Sequence, residues 1–454
     1  MREDGGLFRM EGKVNFTDIG STFSDNSGAE GGVFSCSQCN ITLLKSRVLN
    51  NQAKRGGVIK LESQGNFTSI GSTFQYNKAQ EIGGVIFVTT QSVFNMIDSQ
   101  FLSNEANISS TIDVLGASSF LINYIQGCTF RNNSAIKNTI SLNKARALIT
   151  STKFRDNFSK ERSKNIFVAF AEVNISDSEF SSPEYFNIQR ELDRDFTMGA
   201  FLFIILDVQI IIRNTKFVSG LAKYGGAIYI SGQSEITLDS CQLIKNKADL
   251  YGGAIFANGF KSIKVINGTK LLDNLANFQG DDFYLSNTED PLELEDVTIS
   301  NAMAKNSLYA SQITLKMNRV KYLNIQFNRL SEKGAAVQCY GCRKIDIKNS
   351  LFKNIKSQVG AAIHIIDIPT NKKATDGRGK YKISNTVFEK VTSNLGGALY
   401  LDHPQNLQII NSTFYQITAL NKTADVAGSI SGVGGAIFYQ CSAADPLCEL
   451  EILG

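Results

Sequence analysis

The sequence predicts an all-β chain wound as a single-stranded right-handed parallel β-helix, with about sixteen coils and three strands per coil. Three observations predict it. A Gly-Gly pair returns at a near-constant interval, a Phe-x-x-Asn signature falls ahead of each pair, and every interval holds three short runs that alternate apolar with polar residues.

The glycine element comes first. Tyr224 to Ile228 reads YGGAI, and Tyr251 to Ile255 repeats it 27 residues later. The same slot opens at Gly5, Gly31, Gly56, Gly83, Gly225, Gly252, Gly396 and Gly434. Degenerate copies stand at Gly199-Ala200, Gly280-Asp281, Gly334-Ala335 and Gly360-Ala361, and weaker ones near Ser109, Lys137, Lys164 and Lys305. Strands of successive coils stack about 4.8 Å apart, so equal letters one period apart become neighbours in space. Glycine returns because every coil turns one corner where φ is positive or where a side chain would strike the next rung.

The second element is the Phe signature: STFSDN ending at Asn26, STFQYN at Asn77, SQFLSN at Asn104, CTFRNN at Asn133 and TKFRDN at Asn157. Its asparagine tolerates the left-handed region and can hydrogen-bond along a stack of its own kind. The third element is a run such as EITLD at 235–239 or KIDIK at 344–348. Three strands of about five residues and three corners of about four account for the period. A leucine-rich horseshoe would need a fixed leucine scaffold and a recurring helical leg, and neither is present.

Alternation after the glycines assigns faces. Ile59 and Leu61, Ile86 and Val88, Ile228 and Ile230, Phe283 and Leu285, Ile363 and Ile365, and Leu399 and Leu401 are expected to point inward. The residue between each pair points out. From the seventh to the twelfth coil the outward set is Phe167, Phe203, Tyr229, Phe256, Tyr284 and Tyr309. Two readings are open: rings that stack on one another and stiffen the sheet, or an apolar stripe that takes a glycan, a protein or a flanking segment.

Composition bounds the partners. Forty-six basic and 42 acidic residues, spread along the chain, leave a net charge of +4. That balance provides no concentrated field for nucleic acid or an anionic membrane. The opening MREDGGLFRM is no secretory signal, and AFLFIILDVQIII (Ala200 to Ile212), with Asp207 inside it, is too short to span a bilayer. The chain, residues 1–454, is expected to be one solenoid and a fragment of a longer protein. Signal peptide, cap and membrane anchor would come from the longer parent, so membrane association would run only through those parts. Longer loops are expected near 181–198, 368–380 and 418–433.

Cys36 and Cys39, Cys339 and Cys342, and Cys441 and Cys448 each follow a glycine-led strand. Two CxxC pairs some eleven rungs apart cannot share a zinc ion, so local disulfides across a recurrent corner in an oxidising compartment are expected. Cys128 and Cys241 fill the small-residue slot of the Phe signature and are expected as buried thiols. Asn-x-Ser/Thr acceptor sites stand at Asn15, Asn40, Asn66, Asn107, Asn132, Asn157, Asn174, Asn267, Asn411 and Asn421. An Asn-rich repeat with Ser and Thr at its corners also generates such triplets by chance.

GGAI at 225–228, 252–255 and 434–437, GGAL at 396–399, and FxxN from Phe23, Phe74, Phe101, Phe130 and Phe154 resemble the repeats of chlamydial polymorphic outer-membrane proteins. The CxxC corners, acceptor sites and composition are more similar to the large β-helix surface proteins of ciliated protozoa. Either resemblance implies a pectin-lyase-like solenoid at the cell surface, serving adhesion or scaffolding without a cofactor.

Polysaccharide lyases and glycoside hydrolases use the same scaffold and supply the alternative. Gln279-Gly-Asp-Asp282 resembles one acidic motif of polygalacturonases, without that family's Gly-His-Gly and Arg-Ile-Lys companions. The two histidines, His364 and His403, fall on adjacent coils, with Asp367 expected beside His403 and Asp402 next in sequence. Such a cluster could act as acid and base or hold a metal; a hydrogen-bonded surface pair is the plainer account. The sequence therefore favours a non-catalytic extracellular or cell-surface module, with neither cofactor nor metal, that meets a glycan or protein ligand.

Overall fold

The computed structural model describes residues 6–116, 121–161, 163–182, 197–286, 291–301, 306–326, 336–357, 359–367, 380–394, 396–402, 406–420, 435–440 and 449–454. Among them there is no helix, and strands pair in parallel with those one period before and after, as Ile59–Glu62 does with Phe34–Ser37 and Ile86–Thr89. Most of loops 181–198, 368–380 and 418–433 lie outside these residues, as do Gly5, Gly334, Gly434 and Lys305.

The chain divides into two compact units, Met1–Lys223 with Ala227–Glu235, and Tyr224–Gly226 with Ile236–Gly454. Each is a parallel β-solenoid. In the first unit a glycine-led column of nine strands runs from Phe8–Glu11 to Ile228–Ser231, beside a middle column from Asn15–Ile19 to Gln209–Arg213 and a Phe column from Thr22–Ser24 to Lys216–Val218. The second unit repeats the three columns, with seven glycine-led strands from Ile255–Asn258 to Ile437–Gln440.

The three strands per coil are present as expected, and some coils add a short fourth strand. A short fourth column links Ser27–Glu30, Gln52–Arg55, Lys78–Ile82, Glu105–Ala106, Ser134–Ala135 and Phe158–Ser159 in the first unit. Lys247–Tyr251 pairs with Leu275–Ala276 likewise in the second. Their buried residues are small, Ala53, Ala79 and Ala106, so no apolar alternation in the sequence marks these segments.

The inward assignments hold: all twelve side chains expected to face the core are 0–1% exposed. The YGGAI repeat is a lateral pair, with the Gly225 amide donating to the Tyr251 carbonyl at 3.1 Å and the Gly226 amide to Gly252 at 2.9 Å. The two glycines do different work. The first adopts positive φ, +62° at Gly56. The second permits close approach, since a Cβ on Gly57 would run into the Gly84 carbonyl one rung up.

Phe residues of the signature stack inside the first unit, Phe74 on Phe101 at 5.0 Å, Phe101 on Phe130 at 4.5 Å and Phe130 on Phe154 at 4.9 Å. The asparagine behaves differently from its expected role in one respect. Positive φ belongs to the residue before it, Asp25, Asn50, Tyr76, Ser103, Asn132 and Asp156. The asparagine itself is buried and builds a ladder, Asn51 to Asn77 at 3.0 Å, Asn77 to Asn104 at 3.1 Å, and Asn104 to Asn133 at 3.0 Å. Each Oδ1 also accepts the backbone N–H of the preceding asparagine, and each Nδ2 also donates to a Phe-column carbonyl, as Asn104 does to Phe74. Every polar valence is thereby used inside the core, where an unpaired one would cost about 1–3 kcal/mol.

Cys36–Cys39 and Cys339–Cys342 are disulfides, each local to one unit. Cys441 and Cys448 lie outside the described residues. Cys128 and Cys241 are buried free thiols, and burial pushes Cys128 up to about 12. No helix among the described residues is long and apolar enough to cross a membrane.

Candidate functional site

Within each unit the outer face of the glycine-led column carries its aromatic residues on a ladder, because each occupies the same register position. In the first unit Phe167 pairs with Phe203 and Phe203 with Tyr229. Their rings lie 5.7 and 5.0 Å apart, with Met198, Ala169 and Ile205 packed around them. In the second unit Phe256 pairs with Tyr284 and Tyr284 with Tyr309. Those rings stack nearly parallel at 5.2 and 4.9 Å.

The stripe is less open than expected. Phe167, Phe203 and Phe256 are each only 8% exposed, while Tyr229, Tyr284 and Tyr309 are half-buried. Covering by neighbouring rings is the cause, and such stacked pairs contribute roughly 0.5–1.5 kcal/mol each.

Structure adds a second file of rings in the second unit that alternation did not reveal. Tyr251 lies 4.7 Å from Tyr284 and 5.8 Å from Phe278, and Tyr224 lies 5.2 Å from Phe256. Each of the three stands just before a glycine corner: Tyr224-Gly225, Tyr251-Gly252 and Phe278-Gln279-Gly280. The signal was present in the repeated tyrosine of YGGAI, but Tyr224 and Tyr251 end short strands that no apolar alternation marks. Phe278 is 55% exposed. Burial, then the neighbouring tyrosines, pushes Tyr284 up to about 12, and burial likewise raises Tyr309. The hydroxyls of Tyr284 and Tyr309 are thus held neutral, and Phe278 is the exposed ring of the cluster.

Further along the same ladder Tyr309 is followed by Gln338, His364, Tyr400 and Phe438. His364 occupies the outward position, as expected, yet it is 1% exposed and meets the Tyr400 ring edge-on at 4.8 Å. The Asp367 amide donates to the Asp402 carbonyl at 2.9 Å, and the Asp367 carboxylate accepts from the Tyr381 hydroxyl at 3.1 Å. His403 lies outside the described residues. Among the described residues no three His, Cys, Asp or Glu side chains are grouped to hold a metal ion.

The carboxylates of Gln279-Gly-Asp-Asp282 are interior. Asp281 and Asp282 are both 0% exposed. Asp281 accepts from the Ala276 amide at 2.7 Å and the Asn306 amide at 3.1 Å. Asp282 accepts from Asn274 Nδ2 at 2.9 Å and from the Ser307 hydroxyl at 2.7 Å, and burial pushes it up to about 7. A saccharide cannot reach either. The role of Asp282 is the one Asn165 has in the first unit, where it accepts from Asn157 at 2.9 Å and closes the asparagine ladder.

Of the acceptor asparagines, Asn15, Asn40, Asn66, Asn107, Asn132, Asn267 and Asn411 are exposed and Asn174 is half-buried. Asn157 is the exception. It is a rung of the buried ladder and donates to the Phe130 carbonyl and to Asn165, so the folded chain has no room for a glycan on it. Asn421 lies outside the described residues.

No protein-family model matches the chain, and no curated protein matches it. Among solved structures, a mutant tailspike protein of E. coli bacteriophage HK620 in complex with a pentasaccharide matches at 11% identity, over 89% of this chain and 72% of that one, with a TM-score of 0.20. At that score the likeness carries no argument, and the assignment of a parallel β-solenoid stands on the strand pairing itself.

Proposed function

We propose that the chain is a non-catalytic, extracellular or cell-surface β-helix module that binds a glycan or a protein ligand along the outer face of its glycine-led column. The observation that carries this reading is the two-file aromatic cluster of the second unit, where Tyr251, Phe278 and Tyr284 join a partly exposed apolar surface to hydroxyl groups. Flat rings with polar tips suit the alternating C–H and O–H faces of a sugar. Phe167, Phe203 and Tyr229 form the corresponding wall of the first unit. Two local disulfides and the exposed acceptor asparagines support an oxidising, extracytoplasmic setting. The GGA[ILV] and FxxN motifs support a surface role through their resemblance to chlamydial and ciliate surface proteins.

The rival is a polysaccharide lyase or glycoside hydrolase. Burial of Asp281 and Asp282 argues against its most motif-like carboxylates, and burial of His364 at 1% exposure argues against that histidine, leaving Asp367, Asp402 and His403 as its remaining candidates. A carbohydrate array scored for both retained ligand and released product separates the two. Retention without product, weakened up to about tenfold by Phe278→Ala or Tyr251→Ala, is expected. Product release would overturn the module reading, and retention indifferent to both substitutions would remove the aromatic wall from it.

A further inference from the structure

A groove of about 530 Å³ lies in the first unit, at the corner between the glycine-led and middle columns. That volume is within the usual range for small-ligand sites. The groove exists because the corner changes length. On two successive coils it holds two residues, Lys144-Ala145 and then Phe170-Ala171, whereas the next coil fits in three, Leu206 to Val208. The buried alanines Ala145 and Ala171 leave a low floor, and the longer corner carries Asp207 out as a wall.

Phe170 is the unusual residue. Its φ is +50° and its ring is 49% exposed. Left-handed residues at this corner on the other coils of the unit include Gly12, Gln38, Ser63, Gln64, Gln91, Gly116, Lys144 and Leu206, and Phe170 is the aromatic one among them. A bulky side chain in that conformation is costly, and strain of this kind collects at sites with a role. In the same groove, Arg146 grips Glu172 with two contacts, Nε to Oε2 at 2.9 Å and Nη2 to Oε1 at 3.1 Å. Gln209 continues the same ladder beyond Glu172. Lys144 and Arg146 balance Glu172 and Asp207, so the groove offers many hydrogen-bonding groups without a net field.

We propose that this groove is a binding subsite for a neutral hexopyranose unit of a glycan. The sugar's C–H face lies on the Phe170 ring, whose negative π-face meets the weakly positive C–H bonds. Its hydroxyls donate to Glu172 and Asp207 and exchange hydrogen bonds with Arg146 and Gln209. The charge balance disfavours uronic acids and phosphates. This rests on the reading of the chain as a glycan-binding module, but it names a separate site from the aromatic wall.

Saturation-transfer NMR on the full chain tests it with cellobiose and chitobiose as neutral probes, and digalacturonate and inorganic phosphate as anionic ones. A neutral disaccharide is expected to bind with Kd near about 1 mM. The signal should fall about tenfold in Phe170→Gly, which removes the ring while suiting the left-handed backbone, and should also fall in Glu172→Gln. It should persist in Phe278→Ala. Silence from both neutral probes, stronger signals from the anionic ones, or undiminished binding by Phe170→Gly overturns the subsite. Binding that survives Phe170→Gly yet disappears in Phe278→Ala would sink the groove alone and leave the aromatic wall as the glycan site.

Discussion

Asp282→Asn is a perturbation whose size and sign both follow from the structure. The Asp282 carboxyl is fully buried beside Asp281, with Asp273 adding negative charge and the buried Tyr322 nearby. Only two neutral donors, Asn274 and Ser307, face its oxygens. Its folded-state pKa is therefore raised, by burial first, from 3.8 to about 7. The folded chain holds a proton there that the unfolded chain releases near pH 4, so stability declines as pH rises across that window and the full penalty is reached above neutrality. At about 1.4 kcal/mol per pH step, the penalty amounts to about 4 kcal/mol in the second unit. Asparagine carries no such penalty, and Asn165 shows that it fits the equivalent slot of the first unit. The variant should be more stable than the parent by up to about 4 kcal/mol at pH 8, equal to it near pH 4, and flat between. Burial likewise pushes Asp113 of the first unit up to about 6, so the readout must be local. Hydrogen exchange of the Lys247–Tyr251 and Leu275–Ala276 amides, corrected for intrinsic rates and followed from pH 5 to 8, provides it. Parallel pH profiles for parent and variant would refute the reasoning.

Asn104→Ala removes one rung of the ladder and strands the Asn77 amide, the Phe74 carbonyl and half the capacity of Asn133; a loss of about 3–5 kcal/mol is expected in urea unfolding of the first unit. A cost under 1 kcal/mol would mean that the ladder is dispensable. When the chain is secreted from a eukaryotic host, peptide mass spectrometry should find Asn157 unmodified, with any occupancy confined to the exposed set such as Asn107 and Asn267. A glycan on Asn157 in folded material would contradict its place in the core.

Much of the architecture was legible because a solenoid turns sequence period into spatial contact. Gly225 beside Gly252, the inward Ile and Leu pairs, the outward aromatic ladder and the CxxC disulfides all follow from one interval and one alternation. What alternation cannot reach are the approaches to the corners. Tyr251 ends a fourth-column strand that no apolar alternation marks, and Phe278 stands just beyond its partner strand, so their union with Tyr284 was invisible in the sequence. His364 shows a second limit: its face was assigned correctly, but whether a face is open depends on the rings lying over it.

By itself, the sequence determined the repeat, and with it which residues are lateral neighbours, because backbone pairing between coils forces equal positions together at a fixed spacing. Only the tertiary structure decided which of those neighbours are enclosed. It put the left-handed turn on the residue ahead of each ladder asparagine, sealed Asp281 and Asp282 in the core, and opened a groove beside Phe170 where two short corners meet a longer one. Burial and cavity shape depend on differences in length between adjacent coils, and a periodic pattern averages those differences away.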